Sequence, residues 1–221
     1  MNTIALINAA GQITPYTLSG RSIPQVTLHP FNRVAYSAAH VGNPAMFPKL
    51  PWAQKDFAPI AQLTAATNVI AAHPSIPAND LKGFIAHLKA NPGKLNYASQ
   101  GNGSLAHVGT AMFEQATGTD MVHVPYKGSG AAIADVLAGQ VQVFITTPPS
   151  VMQHVQAGKL KALAVTGKSR HPGMPQVPTV GEAGLSNFEL ESWVAIYAPT
   201  GTPPAVLQKL SGDLKRAMEL P

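Results

Sequence analysis

The sequence predicts an α/β fold in which a parallel sheet is flanked by helices. Between residues 79 and 165, four short apolar runs alternate with segments that carry apolar residues at helical spacing. Short loops rich in Gly, Ser and Thr join these elements. Strands that alternate with helices through short loops form right-handed crossovers and run parallel. Hydrophobic residues make up 45% of the 221-residue chain, which is enough to bury both faces of such a sheet.

The first two helices of this region follow from the spacing of their apolar residues. The first begins after Asn79 or Asp80, ends at Asn91-Pro92-Gly93, and carries an apolar stripe of Leu81, Phe84, Ile85 and Leu88. Residues 95–99 are the first predicted strand. The second helix begins after residues 101–104 and ends at Gly118, with its inward face formed by Leu105, Val108, Met112 and Phe113.

The remaining strands are predicted at residues 121–125, 141–145 and 160–165, with a helix before each of the last two. Residues 191–199 are predicted to form a further strand. A last helix is predicted to begin at Thr202-Pro203, because Thr caps helices and Pro suits their first position. Prolines and glycines interrupt residues 1–35, so only short strands at 16–18 and 25–28 are predicted there.

Three loops rich in Gly, Ser and Thr follow the first three strands, at residues 99–104, 126–130 and 146–150. Ligands of parallel sheets bind outside the carboxyl ends of the strands. Each loop opens a helix, and helix N-termini present unpaired backbone N–H groups that stabilise anions. The hydroxyls that add donors there belong to Ser99, Ser104, Ser129, Thr146 and Thr147. These residue types are also ordinary caps and turns, and the sequence leaves both interpretations open.

Composition excludes several classes of function. The net charge of +5 comes from scattered Lys and Arg, which favours weak attraction of small anions over binding of nucleic acid. No run approaches the roughly 20 apolar residues that span a bilayer, so no membrane insertion is expected. The chain has no Cys, its eight His are dispersed, and no nucleophile motif surrounds Ser104 or Ser129. No catalytic residue, metal site or cofactor is therefore predicted.

A dinucleotide site is the alternative enzyme interpretation. Gly101-Asn102-Gly103-Ser104-Leu105-Ala106 matches the fingerprint of that motif, and Asp120 follows at about the required 20 residues. However, Asp120 precedes the second predicted strand, whereas the ribose-binding acid belongs at the far end of that strand. An NAD-binding oxidoreductase remains the alternative function.

Several motifs occur together in one order. They include Asn96-Tyr97-Ala98-Ser99-x-Gly101-x-Gly103-Ser104-x-x-His107, then Val122-His123-Val124-Pro125-Tyr126-Lys127-Gly128, and later Pro178-Thr179-Val180-x-Glu182-Ala183-Gly184. Upstream stands His40-x-x-Asn43-Pro44-Ala45-Met46-Phe47. In these motifs the chain resembles the extracytoplasmic solute receptors of tripartite tricarboxylate transporters, the Bug family, over about residues 36–221.

The resemblance implies a periplasmic-binding-protein-like (type II) clamshell of two α/β lobes. Such a receptor closes on a small carboxylate in the cleft between its lobes, holds it by backbone amides and hydroxyls, and delivers it to membrane permease subunits. The implied division is an atypical segment at 1–35, a partial first lobe at 36–78 and 190–221, and a second lobe at 79–189. The implied location is the periplasm, although no signal peptide is predicted in this chain.

The ligand-binding positions follow from the same resemblance. In the second lobe they are Ser99, Gly101, Gly103, Ser104, His107, Tyr126, Gly128 and Ser129. In the first lobe they are Ser37 and His40. Thr146 and Thr147 stand where the family usually has an acidic residue followed by Asn. Residues 1–35 also lack the family's first strand and its Pro- and Gly-rich loop. The chain is therefore expected to be a member truncated at both termini, and a non-binding remnant is the further alternative.

Overall fold

The computed structural model describes residues 3–7, 13–17, 33–36, 49 and 51–219. They belong to two compact units. The first contains the described residues up to Tyr36, residues 49–64 and the chain from Val194 onward; the second contains Ala65–Trp193. The chain passes from one unit to the other within two strands, β4 (Phe57–Thr67) and β10 (Glu191–Pro199).

The described part of the first unit is built from two small sheets and a helix. Strands β1 (Thr3–Ile7) and β2 (Ile13–Thr17) pair antiparallel, while β3 (Arg33–Tyr36), β10 and β4 form a three-stranded sheet in the order β3-β10-β4. Strand β10 confirms the strand predicted at 191–199. Strand β2 overlaps the one predicted at 16–18, and the strand predicted at 25–28 lies outside the described residues.

The last helix of the first unit, α5, spans Pro204–Met218. Its N-cap position is Pro203, one residue beyond the predicted cap. The Thr202 hydroxyl instead donates to the Pro199 carbonyl, 2.7 Å away, and so closes the turn before the helix.

The second unit contains a five-stranded sheet in the order β7-β6-β8-β5-β9. Its strands are β5 (Val69–Ala72), β6 (Asn96–Ser99), β7 (Val122–Pro125), β8 (Val143–Thr146) and β9 (Lys161–Val165). Strand β6 runs parallel to both β7 and β8, whereas β5 runs antiparallel to β8 and β9. The four strands predicted from the sequence are therefore confirmed and point the same way.

Strand β5 corrects two expectations. It lies inside the sheet and runs against its neighbours, so the prediction of an all-parallel sheet is wrong there. It also belongs to the second unit, although residues 36–78 were expected in the first lobe. Its four residues are all buried, so they show no alternation that would mark a strand. The chain enters β5 from the other unit rather than through a helical crossover, so the crossover rule does not set its direction.

Four helices cover the two faces of this sheet: α1 (Leu81–Ala90), α2 (Leu105–Thr117), α3 (Ser129–Leu137) and α4 (Pro148–Gln156). On one face Phe84 of α1 and Phe113 of α2 stack with ring centroids 6.2 Å apart. On the other face Val136 of α3 and Val151 of α4 pack in the cluster that holds Phe144. In the described part of the chain, no helix is both long and apolar enough to cross a membrane.

Thr110 of α2 is completely buried, and its hydroxyl has no hydrogen-bond partner among the described residues. A buried hydroxyl without a partner costs about 1–3 kcal/mol. We therefore expect Thr110→Val, which places a methyl group in the same space, to raise the free energy of unfolding by about 1 kcal/mol. Urea unfolding followed by circular dichroism measures this change.

Thr117, one of the last residues of the same helix, provides the matched control. Its hydroxyl donates to the Phe113 carbonyl, 2.7 Å away. Thr117→Val should therefore lower the free energy of unfolding by about 1 kcal/mol. If both substitutions change the free energy of unfolding in the same direction, the unpaired hydroxyl of Thr110 does not explain the effect of Thr110→Val.

Candidate functional site

The three loops predicted to follow strands meet at one edge of the five-stranded sheet. Strands β7, β6 and β8 are neighbours and parallel, so their carboxyl ends lie side by side. The β6–α2 loop (residues 100–104), the β7–α3 loop (residues 126–128) and Thr147 leave the sheet there. The predicted site residues of the second lobe all lie at this edge or in the first turn beyond it. Ser37 and His40 lie outside the described residues.

The β6–α2 loop is held from within by Ser99. Its hydroxyl accepts a hydrogen bond from Gly101 N–H and donates to Gly101 O, both at 3.1 Å. Ser99 is completely buried, so its hydroxyl supports the loop and is not exposed to a ligand. Gly101 (φ 118°) and Gly103 (φ 78°) have backbone angles that favour glycine, which explains why the loop carries Gly at both positions.

Helix α2 opens towards this edge with unpaired amides. The Ser104 hydroxyl caps the helix by accepting from His107 N–H at 3.3 Å. The N–H groups of Leu105 and Ala106 have no hydrogen-bond partner among the described residues. These orphan donors and the positive end of the helix dipole both favour an anion at this position.

Helix α3 opens at the same edge after Gly128, whose φ of 123° again favours glycine. The first three N–H groups of this helix, those of Ser129, Gly130 and Ala131, have no partner among the described residues. Tyr126 precedes them, and its hydroxyl donates to Asp135 at 2.7 Å. Burial and the Asp135 carboxylate raise the pKa of Tyr126 to about 12, so this phenol stays protonated and engaged within the protein.

Helix α4 corrects the expectation of three equivalent helix openings. Its first two residues, Pro148 and Pro149, have no N–H group, and Ser150 N–H donates to the Thr147 carbonyl. Thr146 is buried at the end of β8, while the Thr147 hydroxyl lies 3.2 Å from that of Ser150. The third loop therefore contributes the Thr147 hydroxyl rather than a row of free amides. The two prolines were the available sequence signal for this difference.

The structure also brings together two residues that sequence reasoning kept apart. His123 of β7 lies with Nε2 2.6 Å from Ser99 Oγ, a distance typical of a nucleophile and its base. However, Ser99 is completely buried and already engaged with Gly101, so a substrate cannot reach its oxygen. No contact to His123 was expected from the sequence, because only the pairing of β6 with β7 brings the two side chains together.

The dinucleotide interpretation fails on the position of its acid. The strand–glycine loop–helix context is present in β6, the β6–α2 loop and α2. Asp120, however, lies before β7, and its carbonyl accepts from Gly93 N–H at the opposite edge of the sheet. A ribose bound near Gly101 therefore cannot reach Asp120.

A cavity of about 360 Å³ lies beside the end of β9 in the same unit. Its lining contains three basic side chains, those of Lys168, Arg170 and His171. Two of them have a carboxylate nearby: Lys168 lies 3.7 Å from Glu189, and Arg170 donates to Glu182. Glu191 adds a further negative charge to the lining. Lys168 and Arg170 are thus both engaged with carboxylates, whereas the amides at the first turns of α2 and α3 have no partner among the described residues, so the loop edge at α2 and α3 is the better place for an anion.

Comparison with known proteins agrees with this architecture. Residues 8–221 match the family described as the tripartite tricarboxylate transporter family receptor. BugT of Bordetella pertussis is 34% identical over 176 residues, which cover 79% of this chain and 54% of BugT. The chain spans about half the length of the curated relatives it matches.

Solved structures give the same result. A periplasmic transporter is 40% identical with a TM-score of 0.78, covering 88% of this chain and 67% of that one. MatC of Rhodopseudomonas palustris, solved with bound malate, is 30% identical with a TM-score of 0.74, covering 86% and 65%. Rpa4515 of R. palustris, solved with adipate, is 28% identical with a TM-score of 0.72, covering 82% and 61%. The periplasmic-binding-protein fold and the family match lead to one conclusion: this chain belongs to the tripartite tricarboxylate transporter receptors, the TctC/Bug family.

Proposed function

We propose that this chain is the ligand-binding part of a periplasmic receptor that captures small dicarboxylates and presents them to the membrane permease subunits of a transporter. Its family membership supports the receptor role. The malate bound to MatC and the adipate bound to Rpa4515 support the ligand class. The role is binding and delivery, without chemical change of the ligand.

The observation that carries this proposal is the pair of helix openings at one sheet edge. Helices α2 and α3 both begin there, and five N–H groups of their first turns have no partner among the described residues: those of Leu105, Ala106, Ser129, Gly130 and Ala131. Each helix N-terminus carries roughly half a positive charge. A carboxylate, whose two oxygens accept several hydrogen bonds, is the ligand group that such an arrangement stabilises.

The flanking residues have different parts in this proposal. Gly101, Gly103 and Gly128 allow the ligand to approach the backbone, because no side chain covers it. The hydroxyls of Ser129 and Thr147 add donors at the same edge. Lys127, exposed in the β7–α3 loop, adds a positive charge there and was not among the predicted site residues. Ser99, Ser104, His107 and Tyr126 hold the loops through hydrogen bonds within the protein.

Isothermal titration calorimetry of the full chain tests this function. L-malate, adipate and citrate are the acidic ligands, and adipamide is the uncharged control of the same length as adipate. We expect heat of binding with at least one of the acids and none with adipamide. Absence of binding by all three acids, in a protein whose circular dichroism shows that it is folded, would overturn the proposal.

A further inference from the structure

Three rings from three different elements form a stack beneath the β6–α2 loop. Tyr97 of β6 lies on one side of His123 of β7, with ring centroids 4.9 Å apart and planes inclined by 19°. His107 of α2 lies on the other side of His123, with centroids 4.1 Å apart and planes inclined by only 8°. The two imidazoles are therefore in face-to-face contact.

Each imidazole holds part of the β6–α2 loop. His107 Nδ1 accepts a hydrogen bond from Gly103 N–H at 3.2 Å. His123 Nε2 lies 2.6 Å from the hydroxyl of Ser99, which in turn bonds both N–H and C=O of Gly101. Both glycines with positive φ in this loop are thus tied to the stacked histidine pair.

These contacts depend on the charge of the rings. His107 Nδ1 accepts the Gly103 N–H only while it carries no proton. The Ser99 hydroxyl can exchange its donor and acceptor roles, so the contact with His123 tolerates a proton on Nε2. Two protonated rings 4.1 Å apart, however, would repel each other strongly, so a state with a proton on both rings is disfavoured.

The surroundings favour the neutral form of His123. Burial, and then the neighbouring His107, lower the pKa of His123 below its ordinary value. A folded-state pKa below the unfolded value of about 6.5 gives stability that is complete above pH 6.5 and is lost as the pH falls through the lowered value. On the far side of the stack, burial and the charge of Glu114 raise the pKa of Tyr97 to about 12, so Tyr97 stays neutral.

The acidic groups of this region have other contacts. Glu114 of α2 accepts a hydrogen bond from Met121 N–H, and its pKa is raised by burial and by the charge of Asp120. The stack itself is thus composed of two histidines and a neutral phenol, and among the described residues no hydrogen bond or ion pair joins either imidazole to a carboxylate.

We propose that His107 and His123 are positioning residues, and that the β6–α2 loop keeps its anion-binding form only while His107 Nδ1 carries no proton. The consequence for ligand affinity rests on the proposed function: binding of dicarboxylates should weaken as the pH falls from 7.5 to 5.5. If the histidines merely supplied positive charge to the site, the same acidification would strengthen binding. The sign of the pH dependence therefore separates the two roles.

The first experiment needs no ligand. Nuclear magnetic resonance of the isotope-labelled full chain follows the ring protons of His107 and His123 and the amides of Gly101 and Gly103 between pH 8 and 5. We expect both amide signals to shift with the midpoint of the rings. Glycine amides that stay constant while the rings titrate would overturn the proposal, whether or not the chain binds malate.

The second experiment measures the malate dissociation constant at pH 7.5 and 5.5. His107→Asn is the informative variant, because its Oδ1 replaces Nδ1 as an acceptor that cannot be protonated at these pH values. We expect acidification to weaken binding about tenfold in the original chain and about twofold or less in His107→Asn. Malate itself titrates identically with both proteins, so the difference between them reports on the protein.

His154→Asn is the matched control for this experiment, since His154 lies in the last turn of α4, away from the loop. The His154→Asn variant should show the same pH dependence of malate binding as the original chain. Equal pH dependence in His107→Asn and His154→Asn would contradict the positioning role. Failure of the original chain to bind malate, adipate or citrate at pH 7.5 would count against the proposed function, and the ligand-free titration would still decide the role of the histidines.

Discussion

Asn68→Ala is expected to lower the free energy of unfolding by about 2–3 kcal/mol. Asn68 is almost completely buried; its amide nitrogen donates to Leu190 O at 3.1 Å, and its amide oxygen accepts from the Ser192 hydroxyl at 3.1 Å. Alanine would leave the buried hydroxyl of Ser192 without this partner and would open a cavity. Thr166 also donates to Leu190 O, which limits the loss at that carbonyl. Urea unfolding followed by circular dichroism gives the value.

Asn91→Ala is the control for this prediction. Asn91 caps the end of α1, where its side chain donates to His87 O at 3.0 Å in a position that is only partly buried. Water can replace that contact, so a loss below about 1 kcal/mol is expected. If the two alanine variants are equally stable, the buried network around Asn68 does not have the importance that we assign to it.

Gly101→Val is expected to weaken dicarboxylate binding at least tenfold while the protein still folds. The φ of Gly101 is 118°, where a β-branched residue is strongly disfavoured, and a Cβ there would lie 3.4 Å from the Tyr126 carbonyl. Such strain costs about 1–3 kcal/mol. The loop would relax to another conformation and move the first turn of α2 relative to the ligand. Calorimetry with malate or adipate, whichever binds the original chain, measures the loss.

Gly184→Val separates loss of the site from general backbone strain. Gly184 belongs to the same unit and has a φ of 93°, with no atom within 4 Å of a built Cβ. The Gly184→Val variant should lose about as much stability as Gly101→Val and keep its affinity for the dicarboxylate. A matching loss of affinity in both variants would mean that strain anywhere in the unit disturbs binding, and the special role of the β6–α2 loop would be refuted.

Local patterns were sufficient where a residue's own neighbours in sequence decide its conformation. The helix at Leu81–Ala90 was predicted from one apolar stripe, and Asp80 caps it by accepting from Gly83 N–H at 2.7 Å. The end of α2 at Gly118 was predicted in the same way, and its φ is 64°. Caps and stripes involve residues three or four positions apart, so the sequence shows them directly.

The errors lie where distant parts of the chain decide the outcome. Strand β5 is buried on both faces between β8 and β9, so it has no alternation and no crossover that would reveal its place or direction. The wrong prediction of free amides at the start of α4 has a different cause. The sequence already showed Pro148-Pro149, and proline has no N–H group, so these two residues exclude free amides in the first two positions of the helix. That loop was predicted from its hydroxyl residues without asking which backbone groups were left.

The sequence by itself determined the order of the strands and helices along the chain, the glycine loops between them and the resemblance to the receptor family. Only the tertiary structure decided which loops share an edge, which amides remain unpaired, and that His107, His123 and Tyr97 form one stack. The physical reason is that helix and turn signals arise between near neighbours in sequence. Strand pairing and ring stacking join residues that the chain separates by ten or more positions, and no local pattern records such contacts.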